Sequence, residues 1–240
     1  MPELRDDEHG IQDFTKQLKC SPDAFLQCAL QLSYFIDKGH FVQTYESAMV
    51  RLFRNGRTET IRSCTVEMRD FVLELVKCLK EPNNLEAGLV DLSVRKYVKN
   101  NLREKFEKLS AKHRKLAYEA MLGQGIDRHL FSLYVVAHAL GLKSQFLNKW
   151  ASVGWGLSTS QTPSNQLQEC VDYCEKYKVM APGGGFGPVD DNGYGVSYII
   201  LPKDDVFFHV SSCKKSESTD SERFSRTIMQ SLRVLKEIMS

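Results

Sequence analysis

The chain has 240 residues, 42% hydrophobic and 26% charged, long enough to bury a sizeable core and ordinary for a soluble globular protein. With 32 Lys and Arg against 30 Asp and Glu its net charge is +2, which excludes a nucleic-acid surface built on bulk charge and leaves only a local basic patch open to that use. No apolar run of about 18 residues offers a membrane span, and the first ten residues lack the apolar core of a signal or transit peptide.

The pattern predicts residues 1–13 as an extension or truncated strand region and 14–240 as one domain. Ser21-Pro22-Asp23 has the features of a helix start, with Ala24, Leu26, Ala29, Leu30, Leu32, Phe35 and Ile36 at helical spacing and Gly39 as the stop. Residues 41–65 follow as two β-prone runs around Asn55-Gly56, the signal for a two-residue type I′ hairpin. That turn sets Phe53 opposite Thr58, Arg51 opposite Thr60 and Ser47 opposite Cys64. It also puts Tyr45, Ser47, Arg51, Thr58, Thr60 and Arg62 on one face. A face so rich in hydroxyls and guanidinium groups is either a solvated sheet surface or a pocket for a small charged ligand.

Helical period returns at 65–80, with Val66, Phe71, Val72, Leu75, Val76 and Leu79 as its apolar positions, and stops at Pro82-Asn83-Asn84. The longest predicted helix covers 94–122, with Val98, Leu102, Phe106, Leu109, Leu116 and Ala120 in one stripe and charges on the solvated face. Asp127 is expected to cap a further helix from Arg128 to Leu140. After Trp150 strands are expected near 155–160, 184–189, 194–201 and 205–212, with a second hairpin at Asn192-Gly193 and a closing helix from Thr219 to Met239. Helices, then strands, then a helix define an α/β or α+β two-layer domain.

The seven cysteines have no zinc-ribbon or CxxC spacing and are expected to be reduced thiols, with no metal site. Of the six histidines, His113 sits in the inward stripe of the long helix and His138 on an apolar helix, positions typical of core or boundary residues. His129 has no Ser or Cys nucleophile at a recognisable spacing, so no catalytic base is expected within the chain. Two other stretches are polar where a core should be apolar. One is Ser158-Thr159-Ser160-Gln161-Thr162; the other is Gly183-Gly184-Gly185-Phe186, where absent side chains let something approach the backbone.

Five stretches together resemble the carnitine/choline acyltransferase family. They are Thr44-Tyr45-Glu46-Ser47 with Gly56–Ser63, Asp127-Arg128-His129-Leu130, Leu157-Ser158-Thr159-Ser160-Gln161, Phe186-Gly187-Pro188-Val189, and Gly193-Tyr194-Gly195-Val196. They occur in family order from about Phe14 onward, and Ser158–Pro163 and Gly195–Leu201 look most like the palmitoyltransferase branch of the outer mitochondrial membrane. The resemblance implies a chloramphenicol-acetyltransferase-like α/β domain, a mixed sheet covered by helices. It also implies direct acyl transfer between coenzyme A, a co-substrate rather than a bound cofactor, and the carnitine hydroxyl.

The same resemblance assigns roles. Tyr45, Thr58 and Arg128, with Ser47 in the network, would bind the carnitine carboxylate, and Phe186, Val189 and Ser158 would surround its trimethylammonium. Ser160 would donate to the oxyanion, while Lys16, Lys19 and Asp23 would contact coenzyme A. Gly184 would open the acyl tunnel to medium or long chains, each methylene worth about 0.8 kcal/mol when buried. Two family features have no counterpart: the Gly-Lys expected upstream of Lys16 reads Ile11-Gln12, and the histidine motif of the general base is missing. The alternative is therefore a binding module without catalysis, or one that pairs with a separate half carrying the base.

Overall fold

The structure, a computed structural model, describes residues 11–50, 52–79, 96–162, 168–177, 184–200 and 206–240. Five strands form one mixed sheet: β1 (Thr44–Met49), β2 (Thr58–Ile61), β3 (Leu157–Gln161), β4 (Tyr194–Ile200) and β5 (Val206–Ser212), in the order β2-β1-β3-β4-β5. The three central strands β1, β3 and β4 run parallel, and the edge strands β2 and β5 pair antiparallel to their neighbours. Parallel neighbours need long crossovers, and the helices supply them. These are α1 (Ile11–Gln17), α2 (Pro22–Lys38), α3 (Val66–Lys77), α4 (Lys96–Met121), α5 (Ile126–Ala139), α6 (Gln145–Ser152), α7 (Gln168–Tyr177) and α8 (Ser221–Met239). The expected α/β class, a mixed sheet with helices, is what the chain adopts.

The core lies between one sheet face and helices α2, α3, α4 and α8. Helix α2 is buried from Ala24 to Tyr34, an all-round burial that suits a central helix. Pro22 opens it, and Gly39, at φ 72°, closes it with its N–H on the Phe35 carbonyl. Phe25 and Phe71 meet Phe106 of α4 edge-on at 6.1 and 5.5 Å, and Phe224 of α8 stacks on Tyr194 of β4 at 4.0 Å. The predicted stripe of α4 is correct where its side chains are described: Leu102, Phe106, Leu109 and Ala120 are buried.

Four expectations fail. The β1–β2 connection is not a two-residue turn: Ser47 pairs with Thr60 and Met49 with Thr58, so the loop runs through residues 50–57. Neither Asn55 nor Gly56 has the positive φ that a type I′ turn requires. Gly56 is needed for closeness instead, since a Cβ there would stand 2.1 Å from the Val50 carbonyl oxygen. Second, residues 184–188 form no strand, and Asn192-Gly193 lies in a turn closed by Gly193 N–H on Asp190 C=O at 2.9 Å, leading directly into β4. Third, Asp127 is not a cap; Gly125 takes that place, and Asp127 lies within the first turn of α5. Fourth, Val66, expected inward, is 62% exposed. Helices α1, α6 and α7 were not anticipated. Arg51, Pro82-Asn83-Asn84, Pro163 and Gly183 lie outside the described residues, as do the first ten residues of the expected extension.

Candidate ligand-binding site

Side chains on paired strands share a face, so the registers sort the sheet into two surfaces. Toward the helices point Thr44, Glu46, Ala48, Glu59, Ile61, Leu157, Thr159, Tyr194, Val196 and Tyr198. The opposite surface carries Tyr45, Ser47, Thr58, Thr60, Ser158, Ser160, Ser197, His209 and Ser211. Hydroxyls thus line up across adjacent strands. Ser47 and Ser160 Oγ stand 3.0 Å apart, and Ser160 is in register with Ser197, which donates to the Gly184 carbonyl. Ser211 Oγ donates to the Phe186 carbonyl at 2.5 Å.

At the β1–β2 end this surface deepens into a cavity of about 490 Å³. Tyr45, Thr58, Thr60, Asp127, Arg128, Tyr134, Trp150 and Trp155 are among its walls. Arg128 reaches it because α5 starts against β2: its backbone N–H donates to the Glu59 carboxylate at 3.2 Å, and Glu59 serves as a cap for a helix whose N-cap is glycine. The packing tolerates nothing larger there, since a Cβ on Gly125 would meet Glu59 Cγ at 2.2 Å. The Arg128 guanidinium donates to the Thr58 carbonyl and has further N–H donors for an anion. Burial pushes the Tyr45 hydroxyl up, the Arg128 charge offsetting part of the rise, so Tyr45 remains a donor at neutral pH. An arginine, a tyrosine and a threonine around one cavity fit a carboxylate.

Ser158 is buried beside Gly195, and a Cβ on Gly195 would meet the Phe186 carbonyl oxygen at 3.0 Å. The missing side chain lets the Phe186 segment lie over β4 next to Ser158. Val189 remains 62% exposed. A Cβ on Gly184 meets nothing within 4 Å, so a side chain there would enter open space beside β4. Lys16 and Lys19 are exposed at the end of α1 and the turn after it, where Lys19 N–H closes on the Lys16 carbonyl at 3.0 Å.

The carboxylate of Asp23, the third residue expected at coenzyme A, accepts from the Tyr198 hydroxyl and lies 3.8 Å from His113 Nε2. His113 Nε2 meets Glu46 at 2.9 Å, and Ser63 donates to the same Glu46 oxygen at 3.0 Å. Burial first, and then the charge of Asp23, raise the Glu46 carboxyl to about 7, with His113 opposing. Burial depresses the His113 imidazole, but the Glu46 charge and hydrogen bond outweigh it and raise it overall. Gln27 extends this network, donating to Tyr198 and Thr159 at 3.0 Å each, and Gln31 donates to Thr44 at 2.8 Å. Sequence reading placed His113 in the core correctly but missed its partners, which are distant in the chain. Asp23, Glu46 and His113 are among the described residues the one His/acid group close enough to share a metal ion.

His209 is a second omission. It lies on the polar surface opposite Ser197, and its Nε2 is buried without a partner among the described residues. Only strand parity could have shown it. The five cysteines whose state is described are free.

The chain is a mixed α/β domain with one hydroxyl-lined sheet surface that opens into a cavity walled by Arg128, Tyr45 and Thr58. A family model described as Choline/Carnitine o-acyltransferase matches residues 7–230. The muscle isoform of carnitine O-palmitoyltransferase 1 from Rattus norvegicus is 46% identical over 218 residues, which are 90% of this chain and 26% of that protein. The liver isoform from Homo sapiens is 45% identical over 217 residues, again 90% of this chain and 26% of that protein. Choline O-acetyltransferase from Sus scrofa is 32% identical over 238 residues, 98% of this chain and 32% of that protein. The chain belongs to the choline/carnitine O-acyltransferase family, and it spans about a quarter of the length of the palmitoyltransferases it matches.

Proposed function

We propose that this chain supplies the carnitine pocket and the oxyanion hydroxyl of a carnitine O-acyltransferase that moves medium- or long-chain acyl groups between coenzyme A and carnitine. The observation that carries the reading is the convergence of Arg128, Thr58 and Tyr45 on one cavity, with the Ser47–Ser160 pair on the same sheet surface. Arg128 takes the carboxylate, and the carnitine hydroxyl lies toward the serine row. Ser160 donates to the oxygen that becomes negative when the alkoxide attacks the thioester. Ser158 and Phe186 flank the trimethylammonium, and Lys16 and Lys19 meet the phosphates of coenzyme A. The base that deprotonates carnitine is a histidine outside this chain. By the same likeness the site of action is the cytosolic side of the outer mitochondrial membrane. Among the described residues no helix is long and apolar enough to cross a membrane.

Calorimetric titration of the purified chain with carnitine tests the pocket, and a radiometric palmitoyl-transfer assay tests the chemistry. Saturable carnitine binding without turnover is expected from the chain alone; full turnover would refute the external base, and no carnitine binding would refute the pocket. The binding-module alternative predicts that adding the remainder of a relative, supplied as a separate chain, restores no transfer.

Gly184 carries a second expectation. A methionine there fits without backbone strain, because the glycine is not in the left-handed region and its Cβ direction is open. In an active protein carrying this domain, Gly184→Met should lower palmitoyl transfer relative to octanoyl and acetyl transfer. An unchanged chain-length profile would rule out the tunnel assignment.

A further inference from the structure

Arg62 lies beside the cavity and has no role in the family reading of the pocket. Its guanidinium forks onto Asp127, Nε to Oδ2 at 2.8 Å and Nη2 to Oδ1 at 2.5 Å. Its flat face lies 5.0 Å from the Trp155 ring centroid, and Trp155 in turn meets the Tyr45 ring edge-on at 5.4 Å. Trp150 Nε1 donates to the same Asp127 oxygen at 3.3 Å. The Asp127 side chain is 7% exposed, and the residue immediately precedes Arg128 in the first turn of α5.

Two physical consequences follow. A carboxylate so deeply buried next to an anion pocket would repel the anion or capture Arg128 if nothing neutralised it. Arg62 neutralises it in bidentate geometry, which a point charge could not match. The guanidinium also serves as a platform: stacked on Trp155, it fixes the indole that fixes the Tyr45 ring. We propose that Arg62 and Asp127 are a positioning pair for the anion end of the ligand, acting through Trp155 on Tyr45 and through α5 on Arg128. Arg62 lies outside the cavity wall, and Asp127, which is part of that wall, has both carboxylate oxygens already bonded to Arg62 and Trp150. The inference rests on the carnitine reading of the pocket and names two residues that set its selectivity for a carboxylate.

The test compares carnitine with choline, a quaternary ammonium alcohol that lacks the carboxylate, by calorimetry on the intact chain. In Arg62→Met carnitine affinity should fall about tenfold or more while choline affinity holds, because only the carboxylate end is disturbed. Arg62→Lys, which keeps the charge but loses the fork and the stacking, should fall between. In R62M/D127N the uncompensated charge is gone, so thermal stability should recover while the lost preference for carnitine should not. Near-ultraviolet circular dichroism reads the Trp155–Tyr45 pair without any ligand, and its signal should shrink in Arg62→Met. Should Arg62→Met fail to fold, Arg62→Lys and Trp155→Phe provide the same comparison. Wild-type binding with an unchanged carnitine-to-choline ratio in the variants would overturn the positioning pair alone. Failure of the wild type to bind carnitine would overturn the pocket reading and this inference with it.

Discussion

Arg128→Ala should weaken carnitine binding by on the order of tenfold to a hundredfold, the range expected when a hydrogen bond to a charged group is lost. The reason is electrostatic. Thr58 and Tyr45 are neutral donors, Arg62 is committed to Asp127, and Arg128 holds its charge at the cavity wall. The fold should be spared. Arg128 is exposed, and although alanine gives up the guanidinium bond to the Thr58 carbonyl, it retains the backbone N–H on Glu59, and the Arg62–Asp127 pair still ties α5 to the end of β2. Arg128→Lys should bind with intermediate strength, since an ammonium keeps the charge without the planar fork. Carnitine affinity in the alanine variant equal to wild type, by calorimetry, would show that the carboxylate goes elsewhere.

The second large effect lies on the other side of the same strand. His113→Ala should cost about 3 kcal/mol of stability at pH 8, where Glu46 is ionised and would be left buried without its partner. Urea unfolding measures it. The pH dependence has a definite sign. Glu46 titrates near 7 in the folded chain against an ordinary 4.5, so the native state holds a proton that the unfolded state has released. Stability therefore falls as pH rises between those values. The His113 imidazole is raised as well, so its contribution is present below its ordinary value of 6.5 and is lost as pH rises through the folded one. Both act in the same direction. Glu46→Gln should match wild type in melting temperature near pH 5 and exceed it progressively toward pH 8. A gap that stays constant across that interval would mean that Glu46 does not titrate as its surroundings require.

The helices and the polar surface were legible in the sequence for different reasons. Apolar spacing located α3, α4 and α8 because each buries a stripe, and α2, buried all round, showed as a dense apolar run with Pro22 and Gly39 marking its ends. The β1–β2 hairpin shows how a local signal can mislead. Asn55-Gly56 suggested the tightest turn, but the connection is longer and brings the Phe53 ring against Gly123, 3.4 Å from where a Cβ there would stand. The expected shared face survived because the pairing moved by two residues on each strand. An even shift keeps every side chain on its face, so Tyr45, Ser47, Thr58 and Thr60 still point together. The partners of Glu46 were beyond reach, since His113 is 67 positions away and nothing local announces the pair. Asp127 misled in the opposite way. An acid before a helix reads as a cap, yet here the distant Arg62 claims it.

The bond between Ser47 and Ser160 has a property that its length does not convey. Either oxygen can be the donor. A pair of serine hydroxyls has no fixed polarity, because each O–H can rotate and reverse the direction of the link while the heavy atoms stay in place. A backbone N–H or a guanidinium can only donate. A reacting oxygen that is by turns hydroxyl, oxyanion and ester needs an acceptor at one moment and a donor at the next. The Ser47–Ser160 pair can meet both demands by turning protons, with no rearrangement of the strands that hold it.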